Sequence, residues 1–391
     1  MNVLGIMSGT SIDGVDYALC RIGAGTPRLL KLWPVRFPKA LRQRLHAAAK
    51  GETGCHEVAQ LHHDLGRFYA RHATGHSSLR IDLVGLHGQT VFHQAVGPAP
   101  ATLQLGEPAY LTEGLRVPVV SNFRVADLAA GGQGAPLATA LHVEVFGRRG
   151  RHVCVNNLGG ISNVTSIDWR RGATPKVRAF DTGPANVLID LAVREFTGGK
   201  RQLDRDGALA RRGRVDEEML AEWLDHPFFR KRPPKSTGRE LFGEAFFHGI
   251  LPKLRRRKRG LHDGLATLTE FTARSIALNC RLHLPASPDE VILCGGGAAN
   301  SWLVERIQSA VREETGCRRV IDCTTLGWPR QAIEPAAFAL LAWRRWQEMA
   351  GNLPETTGAR RAVLLGQITE TDPRRLSPGG RNQRALTRKK S

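Results

Sequence analysis

The chain has 391 residues, 41% of them hydrophobic and 24% charged, with a formal net charge of +20. At about 150 residues per domain this predicts two or three domains with buried cores, and no apolar run approaches the roughly 20 residues of a membrane span. Seven cysteines, none in a CxxC pair, exclude a zinc ribbon, a thioredoxin-like motif and a disulfide-stapled scaffold.

Residues 1–5 lack the basic and apolar regions of a leader, so a reducing cytoplasm is the expected location. The positive charge is spread over 45 Arg and 11 Lys. Residues 369–391 hold seven basic residues against Glu370 and Asp372, and residues 253–259 hold six in seven. Such runs suit nucleic acid or an anionic surface. Only 6% of residues are aromatic, however, and no zinc-finger, helix-turn-helix or RNP pattern occurs. The runs are read as a solvated helix end and a disordered tail, with no nucleic-acid or membrane partner expected.

Val3-Leu4-Gly5-Ile6-Met7 and Val15-Asp16-Tyr17-Ala18-Leu19 predict two short strands around a tight loop, residues 8–14. Residues 41–76 place Val58, Leu61, Leu65, Phe68 and Tyr69 at helical spacing. Strands are predicted at 83–86, 117–120, 153–158 and 164–167, with 177–180 strand-like and helices from 186 to 284. Val291-Ile292-Leu293-Cys294 predicts a buried strand, and a last helix covers 334–349. Beyond Gly366 the Pro, Gly, Arg and Ser content predicts disorder.

Three loops after strands share one design: Ser8-Gly9-Thr10-Ser11-Ile12-Asp13-Gly14, Gly159-Gly160-Ile161-Ser162-Asn163 and Gly295-Gly296-Gly297-Ala298-Ala299-Asn300. Glycines let main-chain N–H groups approach an anion, and hydroxyls and amides add donors. The first two loops sit within strand-turn-strand units, and the third leads to a helix start at Ser301. No Walker A sequence or GxGxxG precedes a helix, which takes weight from P-loop and dinucleotide-binding folds. Each loop alone is an ordinary glycine turn. Two similar strand-turn-strand loops about 150 residues apart suggest a duplicated domain gripping a nucleotide. That pattern resembles the actin/hexokinase/Hsp70 kinase superfamily, an α/β fold of two RNase H-like domains with an interdomain nucleotide cleft.

A longer ordered series narrows the resemblance. It comprises Gly5-Ile6-Met7-Ser8-Gly9-Thr10-Ser11-Ile12-Asp13-Gly14-Val15-Asp16, His87-Gly88-Gln89-Thr90 and Gly131-Gly132-Gln133-Gly134-Ala135-Pro136-Leu137. Asn157-Leu158-Gly159-Gly160-Ile161-Ser162-Asn163 and Phe180-Asp181-Thr182-Gly183-Pro184 follow. Pro233-Pro234-Lys235-Ser236-Thr237-Gly238-Arg239-Glu240, Cys294-Gly295-Gly296-Gly297 and Asn352-Leu353-Pro354 complete it. The set resembles the anhydro-N-acetylmuramic acid kinase family over residues 1 to about 368. The resemblance implies a bacterial cytoplasmic enzyme of cell-wall recycling that uses ATP, Mg²⁺ and water. It would convert 1,6-anhydro-N-acetylmuramic acid into N-acetylmuramic acid 6-phosphate and ADP. The domains would be 1–140 plus about 350–368, and 141–349, with the basic tail 369–391 outside the shared pattern. The partners would be a small sugar and ATP, with a homodimer left open. Two other readings stay open: a sugar kinase of the same superfamily without ring hydrolysis, and a catalytically weakened homologue that binds an anionic ligand.

Opening the 1,6-ether bridge needs water at C1 and a destination for the charge on departing O6. The γ-phosphoryl group can capture O6, so one carboxylate acting on water can suffice where an ordinary glycosidase uses two. Asp181 is the candidate base, after a strand-like run and before a Gly-Pro turn. An Asp there also suits a cap on the helix beginning near Asn186. By the resemblance, Gly9, Thr10, Ser11, Ile12, Asp13, Gly14, Val15 and Asp16 form the ATP phosphate loop, with Asp13 or Asp16 orienting Mg²⁺-bound water. An Asp-Gly pair is also a common hairpin signal. Asn157, Gly159, Gly160 and Asn163 would form the opposing loop, and Gly295, Gly296 and Gly297 would face the adenosine. Direct metal ligands are not assigned.

His87, Gln89, Arg124 and Glu334 are the sugar-pocket candidates. Arg124 suits the lactyl carboxylate, and Glu334 is equally a helix-dipole residue. Two positions depart from the family pattern: Ala185, where Gly is usual, and Asn122, where Asp is usual before Phe-Arg. The methyl at 185 is tolerable only if that backbone avoids positive φ. The lost charge at 122 bears on sugar affinity.

Overall fold

The computed structural model describes residues 1–370 apart from 75–78, 96, 98 and 257–259. The tail 371–391 and the end of the basic run at 257–259 therefore lie outside the described residues. The chain divides into two compact units, Met1–Glu144 with Glu334–Ser391, and Val145–Ile333.

The first unit is built on β1 (Asn2–Ser8), β2 (Gly14–Arg21) and β3 (Arg28–Arg36), an antiparallel meander. On the other side of β1 lies β4 (Leu83–Gln94), parallel to it, and then β6 (Val119–Ser121), parallel to β4. The hairpin strand β5 (Ala101–Leu105) pairs with the far half of β4. Leu4, Ile6, Tyr17 and Leu19 from the sheet share a core with Leu61, Leu65 and Tyr69 of the helix Cys55–Thr74. That helix and Lys39–Ala49 replace the single helical stretch expected over 41–76, because the chain turns at Gly51 with φ +74°.

The second unit repeats the plan. Strands β7 (His152–Leu158), β8 (Ile161–Asp168) and β9 (Lys176–Pro184) form an antiparallel meander. Strand β10 (Glu290–Cys294) runs parallel to β7, and β11 (Val320–Asp322) parallel to β10. Both sheets thus extend a three-strand meander from its first strand by two parallel strands, the RNase H-like order expected from the duplicated loops. Between β9 and β10 come the helices Asn186–Phe196, Glu217–Leu224, Glu244–Arg255 and Leu261–His283, whose apolar faces build the core around Phe229, Phe242 and Phe271.

Two segments differ from the sequence-based expectation. Residues 367–369, expected to be disordered, form β12 (Gln367–Thr369), antiparallel to β6. The helix Ile333–Trp346, assigned above to the second domain, packs on the first sheet. There a Cβ on Gly5 would overlap the carbonyl oxygen of Pro335, and one on Gly85 that of Phe338. Two glycines on adjacent strands open the groove that admits the helix backbone.

Candidate active site

Asp181 lies inside β9 rather than beyond it, next to an irregularity. Across β8 and β9, Asn163 faces Asp181 but Ser162 faces Gly183, leaving Thr182 as an extra residue. Such a bulge bends a strand and re-aims the side chains beside it. Thr182 is fixed there: its hydroxyl donates to Ser162 Oγ at 2.7 Å, and its carbonyl accepts from Asn279 Nδ2 at 3.0 Å.

The Asp181 carboxylate is half-buried, and its Oδ2 accepts the main-chain N–H of Thr237 at 2.8 Å. Its own N–H donates to the Lys235 carbonyl at 3.1 Å. Burial raises the Asp181 pKa to about 6; the Glu240 charge pushes the same way, and the Thr237 bond and Lys235 oppose it. A carboxylate titrating there suits a general base near neutral pH. Asp181 does not cap the following helix, whose N-cap is Ala185 with no side-chain cap. Ala185 has φ −112°, so the added methyl does not face the strain of a positive φ.

The glycine loops of this unit come together around Asn157. Gly159 N donates to Ile161 O at 3.2 Å and closes the β7–β8 turn. Gly295, at φ +79°, stands so close that a Cβ would overlap Asn157 Oδ1. Asn186 Nδ2 donates to the Gly159 carbonyl at 2.7 Å, and Gly297 packs against the same Asn186. Gly160 belongs to the same turn, where its carbonyl accepts from Ala185 N at 2.9 Å. Gly296 begins a short 3-10 turn, after which Asn300 caps the helix Ser301–Thr315 by accepting from Leu303 N at 3.1 Å.

In the first unit the β1–β2 turn carries Gly9, Thr10, Ser11, Ile12 and Asp13, with Gly14, Val15 and Asp16 already in β2. Ile12 N donates to Gly9 O at 3.2 Å with Ile12 at φ +58°, an uncommon region for a β-branched residue. Gln89 braces this turn. Its Nε2 donates to Gly9 O at 3.1 Å, its Oε1 accepts from Ser8 Oγ, and it is fully buried. The structure therefore places Gln89 behind the β1–β2 turn.

His87 is also buried, its ring tilted by 41° against that of Phe338 with the centroids 4.4 Å apart, and its Nε2 accepts from Arg124 Nε at 3.1 Å. Arg124 NH1 donates to Gly134 O at 2.7 Å. Burial lowers the Arg124 pKa to about 10, and the Glu334 charge opposes that. Glu334 stands in the first turn of Ile333–Trp346 and, after burial, is the second cause raising Asp16 to about 6. Asn122 occupies φ +57°, a region Asn tolerates better than most residues.

Among the described residues no three His, Cys, Asp or Glu side chains converge as a metal site. Asp16 and Glu334 nevertheless repel one another, which a divalent cation with its own waters and phosphate ligands would relieve. Asp13 is exposed in the turn.

Three residues with no assigned role in the sequence reading hold the candidates in place. Asp127 is fully buried, accepting from Gly134 N at 2.8 Å and from Asn352 Nδ2 and Thr357 Oγ1 at 2.7 Å each. Lys235 and Thr237 fix Asp181. The signal was present, since all three lie in or beside the ordered motif series, but the motifs do not say which side chain turns inward.

A family model described as anhydro-N-acetylmuramic acid kinase matches residues 1–371. The chain is 41% identical over 383 residues to the anhydro-N-acetylmuramic acid kinase of Synechocystis sp., covering 94% of this chain and 98% of that protein. It is 42% identical over 379 residues to the protein of the same name from Gloeobacter violaceus, covering 93% and 97%. Among solved structures, the activator of the 2-hydroxyisocaproyl-CoA dehydratase from Clostridium difficile with bound ADPNP aligns with TM-score 0.41 and 13% identity, over 89% of this chain and 96% of that one.

Proposed function

The chain belongs to the anhydro-N-acetylmuramic acid kinase family, and we propose that it opens 1,6-anhydro-N-acetylmuramic acid with water while phosphorylating O6 from ATP. The observation that carries this reading is the Asp181 carboxylate, held by the Thr237 N–H beside a strand bulge and raised to about 6 by burial. Asp181 takes a proton from water as the water oxygen bonds C1. The C1–O6 bond breaks, and O6 bonds the γ-phosphorus as the bond to the departing ADP oxygen breaks. Sugar, ATP and water therefore become the 6-phosphate and ADP, with the proton left on Asp181.

Residues 9–16 are the proposed phosphate loop, and the loops at 157–163 and 295–297 the proposed further ATP contacts. Mg²⁺, when bound, neutralises charge on the phosphates. Asp16, with Asp13 acting through water, would hold it. Arg124 stays cationic at neutral pH and suits the lactyl carboxylate. The proposed setting is bacterial cytoplasm and the recycling of cell-wall sugar. Among the described residues no helix is long and apolar enough to cross a membrane.

Incubation with ATP-Mg²⁺ and the anhydro sugar in ¹⁸O-water tests the reading. The label is expected at C1 of a product heavier by phosphate plus water. Label in free phosphate alone would mean an ATPase, and a product without added water a conventional sugar kinase.

A further inference from the structure

Lys235 is 3% exposed, although its neighbours Pro234 and Ser236 are exposed. Its ammonium donates to the carbonyls of Phe228 at 3.1 Å and Phe229 at 3.3 Å. It also lies 4.6 Å from the Phe228 ring and 5.9 Å from the Phe180 ring. His283 closes the cage, with Nε2 at 2.9 Å from the Phe229 carbonyl and 3.2 Å from the Lys235 Nζ. A buried cation is costly unless paired or well hydrogen-bonded. Among the described residues no carboxylate forms a salt bridge with Lys235, so its charge serves no structural ion pair. An apolar side chain of similar volume would fill the same cage.

The segment that Lys235 anchors is the one that holds Asp181. The Lys235 carbonyl takes the Asp181 N–H, and two residues on the Thr237 N–H takes the Asp181 carboxylate. We propose that Lys235 is a positioning residue for Asp181, its buried ammonium pegging residues 233–240 against Pro227–Arg230 and the end of Leu261–His283 while favouring the ionised carboxylate. This rests on Asp181 acting as the water base. The charged groups that bear on the pair are Glu240 and Lys231 from the segment and its approach, and His283 from the helix. Burial lowers the Lys235 pKa to about 8 while the Asp181 charge opposes that, so Lys235 remains a cation where Asp181 titrates, at about 6.

The test compares pH profiles of kcat/KM for wild type, Lys235→Met, Lys235→Arg and Asp181→Asn. Lys235→Met keeps an apolar stem between the rings and removes the charge. It is expected to lose about tenfold or more in kcat, as a slightly misplaced base does, with KM for ATP unchanged within about twofold. Its acidic limb should move up by about half a pH unit or more, and Lys235→Arg should keep the limb near that of wild type. If Lys235→Met does not accumulate as folded protein, Lys235→Gln, which keeps a donor for the Phe228 carbonyl, carries the same comparison. A neutral variant with the wild-type limb overturns the proposal, whether or not its rate falls. Asp181→Asn separates the two ideas. If it is nearly as active as wild type, the reading of Asp181 as base fails; if it is inactive while the neutral Lys235 variant keeps the wild-type limb, only the role of Lys235 fails.

Discussion

Arg124 Nε donates to His87 Nε2 at 3.1 Å, and His87 Nδ1 lies 2.8 Å from the Gly88 carbonyl. Together these contacts define the neutral Nδ1–H tautomer, since Nε2 has to accept. Burial, and then the Arg124 charge, hold the His87 pKa well below the ordinary range. Two of the five guanidinium N–H bonds are thus engaged inside the protein, with His87 and Gly134. His87 thus helps to hold the Arg124 guanidinium in place.

Replacing Arg124 by Met is expected to raise KM for the sugar by about 30-fold or more, the loss of a charge-assisted pair of bonds, with little change in KM for ATP. His87→Gln should give a smaller rise in the same constant. Steady-state kinetics with each substrate varied in turn makes the check. An Arg124→Met enzyme impaired equally toward both substrates would mean that the residue supports the fold instead.

Asp181→Asn keeps the size and the bond from Thr237 N–H but removes the proposed base. A kcat lower by about 10²-fold or more is expected, with ATP affinity unchanged within about twofold. The same variant should be more stable. The folded pKa of about 6 lies above the ordinary 3.8, so the native state holds this proton more tightly than the unfolded chain. That stabilisation is present below the ordinary value and is lost as pH rises through about 6. Asn never ionises, so at neutral pH the variant should gain about 1–3 kcal/mol over wild type, with the gap closing toward pH 4. Thermal melts across that range decide it. A variant both inactive and less stable at neutral pH would point to a broken fold, not a missing base.

The pH dependence of turnover follows from the same residues. Asp181 must be ionised to accept a proton, and Asp16 must be ionised to attract a cation. Burial raises both to about 6, with Glu334 adding to the shift at Asp16. Log kcat/KM should therefore fall as the pH drops below about 6, with a slope between one and two, because two carboxylates protonate there. A profile flat from pH 5 to 8 would remove both groups from the essential set.

The parts legible in the sequence are those whose pattern is local. The turn at 8–14 and the Gly159-Gly160 turn stand between apolar runs, and β10 carries the continuous apolar run Val291–Cys294, buried along its length. Strand β3 escapes because it lies at the sheet edge. It carries Arg28, Lys31, Pro34 and Arg36, the charges and proline that protect an unpaired edge and interrupt the apolar pattern of a strand. Strand β12 escapes because three residues, Gln367–Thr369, acquire their conformation only from β6, far away in the chain. The bulge at Thr182 depends on cross-strand register, and the burial of Lys235 on Phe228 and His283, so Lys235 reads in isolation as one more solvated charge. The motif series marks Asp181 as chemistry-bearing but says nothing of what holds it.

The placement of the helix Ile333–Trp346 rests on the absence of two side chains, and this too can be measured. A Cβ on Gly85 would overlap the Phe338 carbonyl oxygen and lie 2.9 Å from the Ala342 Cβ. Neither neighbour can swing aside, because one is helix backbone and the other a methyl carbon bonded directly to it. The helix would have to lift from β1 and β4, disturbing the contact of the Phe338 ring with His87. Gly85→Ala is therefore expected to destabilise the protein by about 1–3 kcal/mol, the range of core overpacking. Glu334, in the first turn of that helix, should shift as well, changing its repulsion of Asp16. Gly23→Ala is the control, since a Cβ there meets nothing within 4 Å; it should leave stability within about 0.5 kcal/mol of wild type. If the two alanine variants melt together, the glycines do not set the distance between helix and sheet.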